Sequence, residues 1–78
     1  MLSEDELKVK AKKLIKQVLL DRDVNFTEAS KIMSNAGYNY TPAAFRQRIQ
    51  RGNVELFFLL QFADAFDMDV ELVKKKFN

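Results

Sequence analysis

The 78-residue chain contains no cysteine and no histidine. Without cysteine there is no disulfide, no thiolate metal site and no thiol nucleophile. Without histidine the commonest general base, the commonest neutral metal ligand and every Ser-His-Asp arrangement are missing. Small secreted scaffolds are excluded with them, because they rely on disulfide staples. Glycine occurs twice and proline once, so there is little room for turns. β-Branched alternation is almost absent. The longest apolar run, Leu56 to Leu60, is far too short to span a bilayer. The stretch Met1 to Glu6 is acidic and lacks the apolar region of a signal peptide. A soluble cytoplasmic protein is the expectation.

What is present reads as one globular domain over residues 1–78. Hydrophobic residues make up 47% and charged residues 31%. That share of apolar side chains can offset the entropy of ordering, as a disordered chain cannot. The formal net charge of +2 is only mildly basic, so its distribution matters more than its total. No internal repeat or low-complexity segment occurs.

Apolar residues recur at helical spacing nearly throughout. A first helix is predicted from about Glu4 to Leu20, with Ser3 as N-cap and Glu6 completing a capping box. Its inner face is Leu7, Ala11, Leu14, Ile15 and Val18, and its lysines cover much of the rest. A second helix starts after Asn25, which pairs with Glu28, and Val24 is placed to staple against Ala29. Ala29, Ile32, Met33 and Ala36 form its buried stripe. Gly37 sits where a left-handed residue stops a helix. Thr41 caps a third helix with Pro42 at its first position, where the missing N–H costs nothing. Phe45 and Ile49 point inward, and Gly52 ends the helix. Asn53 caps a fourth helix over about Val54 to Phe66, with Leu56, Leu59, Phe62, Ala63 and Phe66 inside. Asp69 caps a short fifth helix that buries Leu72, Val73 and Phe77. The expected fold is an all-α, compact five-helix bundle.

One constellation points to a function. The segment 41–53 carries Arg46, Arg48 and Arg51 and no acid, a charge of +3. The segment 54–73 carries Glu55, Asp64, Asp67, Asp69 and Glu71 and no base, a charge of −5. Duplex DNA would be drawn to the third helix and repelled by the acidic segment after it. With Phe45 and Ile49 inward, Ala43, Gln47, Gln50 and Arg51 face outward, flanked by Ala44 and Arg46. Two alanines leave a profile narrow enough for a major groove. Gln47 can bond an adenine edge at two points and Arg46 a guanine edge. Thr41, Tyr40, Arg48, Arg51 and Asn53 are placed for phosphates, which set register.

These residues also carry a resemblance. The stretch Val24-Asn25-Phe26-Thr27-Glu28-Ala29-Ser30-Lys31-Ile32-Met33 resembles the first half of a Cro/C1 repressor helix-turn-helix. Residues 45–52, ending in Arg51-Gly52, resemble its second half with the terminating glycine. Leu59 to Met68 is similar to the next helix of that domain. The resemblance spans about residues 12–73, and it is closer still to a small uncharacterised bacterial family with this domain and the same Arg-Gly stop. It implies a lambda-repressor-like fold and sequence-specific DNA binding by a bacterial or phage-type transcriptional regulator. It further implies a dimer, with the third helix in the major groove. Four positions depart from the pattern. The turn into the third helix is longer. Phe26 stands where a polar residue is usual. Ala29 stands where leucine is usual, before Ser30. Gln50 replaces a glutamate.

The remaining features have plainer readings. Tyr38 and Tyr40 can cover the core edge with their rings and leave their hydroxyls in water. The lysines of the first helix read as solvent-facing. Phe57, Phe58 and Leu60 widen the fourth helix beyond the stripe a small domain buries. They mark either ground covered by the first helix or an exposed patch that pairs with a second copy. The alternative function is a helical protein-interaction module anchored on these three residues. Asp67 to Glu71 lacks the alternating oxygens and glycine of a calcium loop. No carboxylate pair or phosphate-cradling loop occurs, so neither an enzyme nor a metal or cofactor site is expected.

Overall fold

The computed structural model of the protein describes residues 1–75. Four helices account for its regular structure: α1 (Glu4–Asp21), α2 (Phe26–Asn35), α3 (Pro42–Gln50) and α4 (Leu56–Ala65). No strand occurs among the described residues. Among these residues, no helix is long and apolar enough to cross a membrane.

Three of the four starts follow from side-chain chemistry within a single turn. At α1 the Glu6 N–H donates to Ser3 Oγ at 3.1 Å, and the Ser3 N–H donates back to the Glu6 carboxylate. At α2 the Glu28 N–H donates to Asn25 Oδ1 at 2.8 Å, with the reciprocal bond from the Asn25 N–H. At α3 the Ala44 N–H donates to Thr41 Oγ1 at 3.1 Å, and Pro42 opens the helix. Such a cap contributes about 1 kcal/mol.

Three helix ends share a geometry. The residue after the cap is left-handed, at Asp23 (φ 53°), Gly37 (φ 97°) and Asp67 (φ 58°). The next N–H then reaches back to the last turn, from Val24 to the Leu19 carbonyl, Tyr38 to Met33 and Met68 to Ala63. This closes carbonyls that a helix end otherwise leaves bare.

The core is aromatic and centres on Phe45. Its ring meets Phe26 of α2 edge-on at 6.3 Å, and Phe58 and Phe62 of α4 at 5.8 and 6.3 Å. Phe62 stacks on Phe66 at 4.4 Å. Ile15 and Leu19 of α1, Ala29 and Met33 of α2 and Ile49 of α3 complete it. Burying one such phenyl ring contributes about 1.5–3 kcal/mol. The cluster therefore fixes which face of α3 turns outward. Ser30 is the one buried polar side chain among the described residues, and its hydroxyl donates to the Thr27 carbonyl at 2.8 Å. A single ion pair occurs among the described residues, Lys8 to Glu4 at 3.4 Å, one turn apart and exposed.

Four expectations need correction. Residues 69–75 form no helix, and Leu72 and Val73 are 98% and 79% exposed. So short a segment is not helical without packing, and here these two side chains pack on nothing. Phe77 lies outside the described residues. Secondly, α4 starts at Leu56, two residues later than predicted, and its N-cap is Glu55, which makes no side-chain cap bond. Asn53 is not the cap. Gly52 is buried against the Lys8 backbone and Val54 packs on the core, so the chain stays extended past α1 before α4 begins. Thirdly, the inner faces of the first two helices shift: α1 buries Ile15 and Leu19 while Leu7 and Leu14 are exposed, and Ala36, the C-cap of α2, is exposed. Lastly, α4 buries Phe58 completely, and Leu56 is 66% exposed. Phe58 thus belongs to the core and not to a surface patch.

Candidate nucleic-acid interface

With Phe45 and Ile49 fully buried, α3 presents its other side to solvent. Ala43, Ala44, Arg46, Gln47 and Gln50 are exposed, as are Thr41, Arg51 and Asn53. Arg48 is half-buried. The side chains expected to meet DNA therefore lie on one face, at and beyond a short helix.

Two shallow basins flank that face. One holds about 330 Å³ and is lined by Ala44, Gln47, Arg48, Arg51, Asn53 and Glu55. The other holds about 460 Å³ and is lined by Asn25, Phe26, Thr27, Pro42, Ala43 and Arg46. The structure thus sorts the predicted residues into two groups around the ridge of α3. Gln50 lines neither basin. Thr41 also lines neither, and its hydroxyl oxygen is engaged in capping α3.

The second basin is where α2 and α3 both begin. First-turn N–H groups have no partner inside their own helix. Asn25 and Thr41 satisfy the amides of Glu28 and Ala44. The amides of Phe26, Thr27 and Ala43 belong to the turns left without such a partner, and both helix dipoles present their positive ends here. Arg46 adds a full charge at the rim. An anion is the ligand this arrangement suits.

Arg48 differs from the other two arginines. Its guanidinium lies 5.5 Å from the Tyr40 ring centre and 5.2 Å from that of Phe58. The two rings meet edge to face at 5.3 Å. The Tyr40 hydroxyl donates to Gln61 Oε1 at 2.5 Å, and the Tyr38 hydroxyl donates to Asp64 Oδ2 at 2.7 Å. Neither hydroxyl is simply wet, then: each donates to a side chain of α4. Both tyrosines tie the α2–α3 connection to α4. Donation to the Asp64 carboxylate, with smaller effects of burial and of its charge, raises the Tyr38 pKa above 10.0.

Sequence reasoning did not find Asn25, Thr27 or Glu55 at this surface, nor Gln61 behind it. Asn25 carried only a helix-start signal and Thr27 only its place in the resemblance, and Glu55 brings the one carboxylate into an otherwise basic basin. The bonds to Gln61 and Asp64 join residues 21 and 26 positions apart, a separation that local spacing does not report. On α4, Leu56, Phe57 and Leu60 are 66%, 69% and 50% exposed and lie within about one turn of each other, so the apolar patch is real but excludes Phe58. Among the described residues no group of three or more potential metal ligands converges.

A family described as a domain of unknown function (DUF6471) matches residues 7–70. No curated protein and no solved structure matches the chain.

Proposed function

The chain belongs to the DUF6471 family of domains of unknown function, and we propose that it binds duplex DNA as a non-catalytic regulator. In this reading α2 and α3 form a helix-turn-helix of the Cro/C1 type, in a lambda-repressor-like fold with a lengthened turn. α3 enters the major groove. The observation that carries the reading is the exposed ridge of α3 between two basins, with Arg46 at one and Arg48 and Arg51 at the other. A helix seated in a major groove has a phosphate strand on either side, and the groove is about 12 Å wide. Phe26 suits this scheme, because its ring packs on Phe45 while the α2 amides remain at the surface.

Affinity would come from phosphate contacts by Arg48, Arg51 and the paired helix starts. Arg48 rests against two rings, which restrains it for a phosphate contact and leaves base reading to Gln47 and Arg46. One two-point contact discriminates by about 1–3 kcal/mol, so a second copy would strengthen selection. The stripe Leu56, Phe57 and Leu60 offers a surface for that copy. A bacterial or phage-type transcriptional regulator in the cytoplasm fits these properties.

The same stripe favours a second reading, a protein-interaction module that kept the fold without DNA. Titration of labelled protein with mixed-sequence duplex at low and high salt separates the two. Amide shifts confined to residues 25–28 and 41–55 that shrink at high salt support the DNA reading. No shifts at low salt would sink it and leave the α4 stripe as the candidate surface.

A further inference from the structure

Arg46 and Arg51 extend freely from α3, but Arg48 is half-buried. Phe58 is a fully buried floor, and Tyr40 stands beside it, its ring edge-on at 5.3 Å. The Arg48 guanidinium is held against both, at 5.2 and 5.5 Å from their centres. Behind Tyr40, Gln61 accepts its hydroxyl proton at 2.5 Å. No carboxylate lies within ion-pair distance of Arg48 among the described residues, although Glu55 lines the same basin.

We propose that Tyr40 is a positioning residue for Arg48, braced by Gln61, and that it sets the Arg48 guanidinium in advance for a DNA phosphate. The proposal rests on the DNA reading above. A cation over an aromatic ring is held by the quadrupole of the ring. The N–H fork of arginine lies in the guanidinium plane, and a ring contact leaves N–H donors in that plane for an acceptor arriving from solvent. Phosphate oxygens are bonded in that plane, two at a time. An unrestrained surface arginine loses many rotamers when it takes a phosphate. One already held against two rings has lost part of that freedom on folding, so the contact costs less. The Gln61 bond prevents the Tyr40 ring from swinging out, because turning away would break it. Tyr40 then acts on DNA only through Arg48.

A double-mutant cycle tests this, using Tyr40→Leu, Arg48→Met and the pair, with a mixed-sequence duplex followed by fluorescence anisotropy. Arg48→Met should lower the salt slope by about 0.9, the value for one phosphate contact. Tyr40→Leu should weaken binding about fivefold to tenfold with the slope kept, in line with the cost of ordering one long side chain on binding while its phosphate contact remains. Introduced beside Arg48→Met, it should have no further effect, because contacting residues of one unit are not additive. Nitrogen relaxation of the arginine Nε groups in the free protein should show Arg48 more ordered than Arg46 and Arg51, and equally mobile after Tyr40→Leu. If Tyr40→Leu does not fold, Gln61→Leu takes its place in the same cycle and should also loosen Arg48. Equal losses from the tyrosine change with and without Arg48, or an Arg48 as mobile as its neighbours, overturns the positioning role alone. No binding by the unsubstituted protein at about 50 mM salt, where such contacts are strong, overturns the DNA reading and this role together.

Discussion

The two glycines both have positive φ, +69° at Gly52 and +97° at Gly37, but their surroundings differ. A left-handed backbone costs an ordinary residue about 1–2 kcal/mol. At Gly37 a Cβ would meet nothing within 4 Å, so Gly37→Ala should cost that much and no more. At Gly52 a Cβ would stand 2.7 Å from the Lys8 carbonyl oxygen and 2.8 Å from the Lys8 Cβ. Neither atom can swing aside, because both are anchored within α1. Overpacking of this kind adds about 1–3 kcal/mol. The two variants should therefore differ by about 2 kcal/mol, and a domain of this size loses about 4–8 °C per kcal/mol. Thermal unfolding followed by circular dichroism should place the Gly52→Ala melting point about 8–16 °C below that of Gly37→Ala. Amide exchange in α1 should rise around Lys8 in Gly52→Ala only. Melting points within a few degrees of one another would refute the close approach of α1 to the end of α3.

The core, the surface and the tyrosines give further outcomes. Phe58→Ala should destabilise the domain by about 3–5 kcal/mol, the range for a buried phenyl ring, as read by urea unfolding. Phe57→Ser with Leu60→Ser should leave monomer stability within about 1 kcal/mol, since neither side chain is buried. Any self-association seen by sedimentation should vanish in that pair, and persistence of a dimer would remove α4 as its surface. Arg46→Ala and Arg51→Ala should each lower the salt slope of DNA binding by about 0.9, while Gln47→Ala should blur base preference with the slope intact. Tyr38 is an acid whose folded pKa lies above its ordinary value of 10.0. Its bond to Asp64 thus contributes stability fully below pH 10.0 and loses it as pH rises through the higher folded value. Ultraviolet titration should find Tyr38 ionising above its ordinary value, and Asp64→Asn should bring it back towards that value.

Much of the fold could be read from neighbouring residues. The starts at Ser3, Asn25 and Thr41 are chemistry within four positions, and Gly37 and Gly52 end their helices where expected. Phe45 and Ile49 are the only large apolar residues of α3, so its inner face admits no second choice. That single fact also placed most of the candidate surface. Where apolar residues were plentiful, periodicity lost its direction. Residues 56–60 are apolar all round, and spacing alone does not distinguish a buried Phe58 from a buried Leu56. Likewise α1 offers leucine or isoleucine on adjoining faces, and the buried Ile15 and Leu19 share their face with Lys8, the residue that meets Gly52. Asp69 looked like a cap for a fifth helix, but a cap stabilises only a segment that something else packs. The aspartates at 23 and 67 are left-handed ends that glycine would have announced and aspartate does not. The braces from Tyr38 and Tyr40 depend on α4 arriving beside the α2–α3 connection, which is a product of the whole fold.

The scarcity of ion pairs has a consequence of its own. Apart from one exposed pair a turn apart in α1, no salt bridge among the described residues holds the domain together. Cohesion comes from packed rings and from caps, which dissolved ions hardly weaken. Ionic strength is therefore a clean variable for this protein: it can be swept from millimolar to near-molar values while the scaffold keeps its shape. Whatever changes over that sweep belongs to what the surface touches.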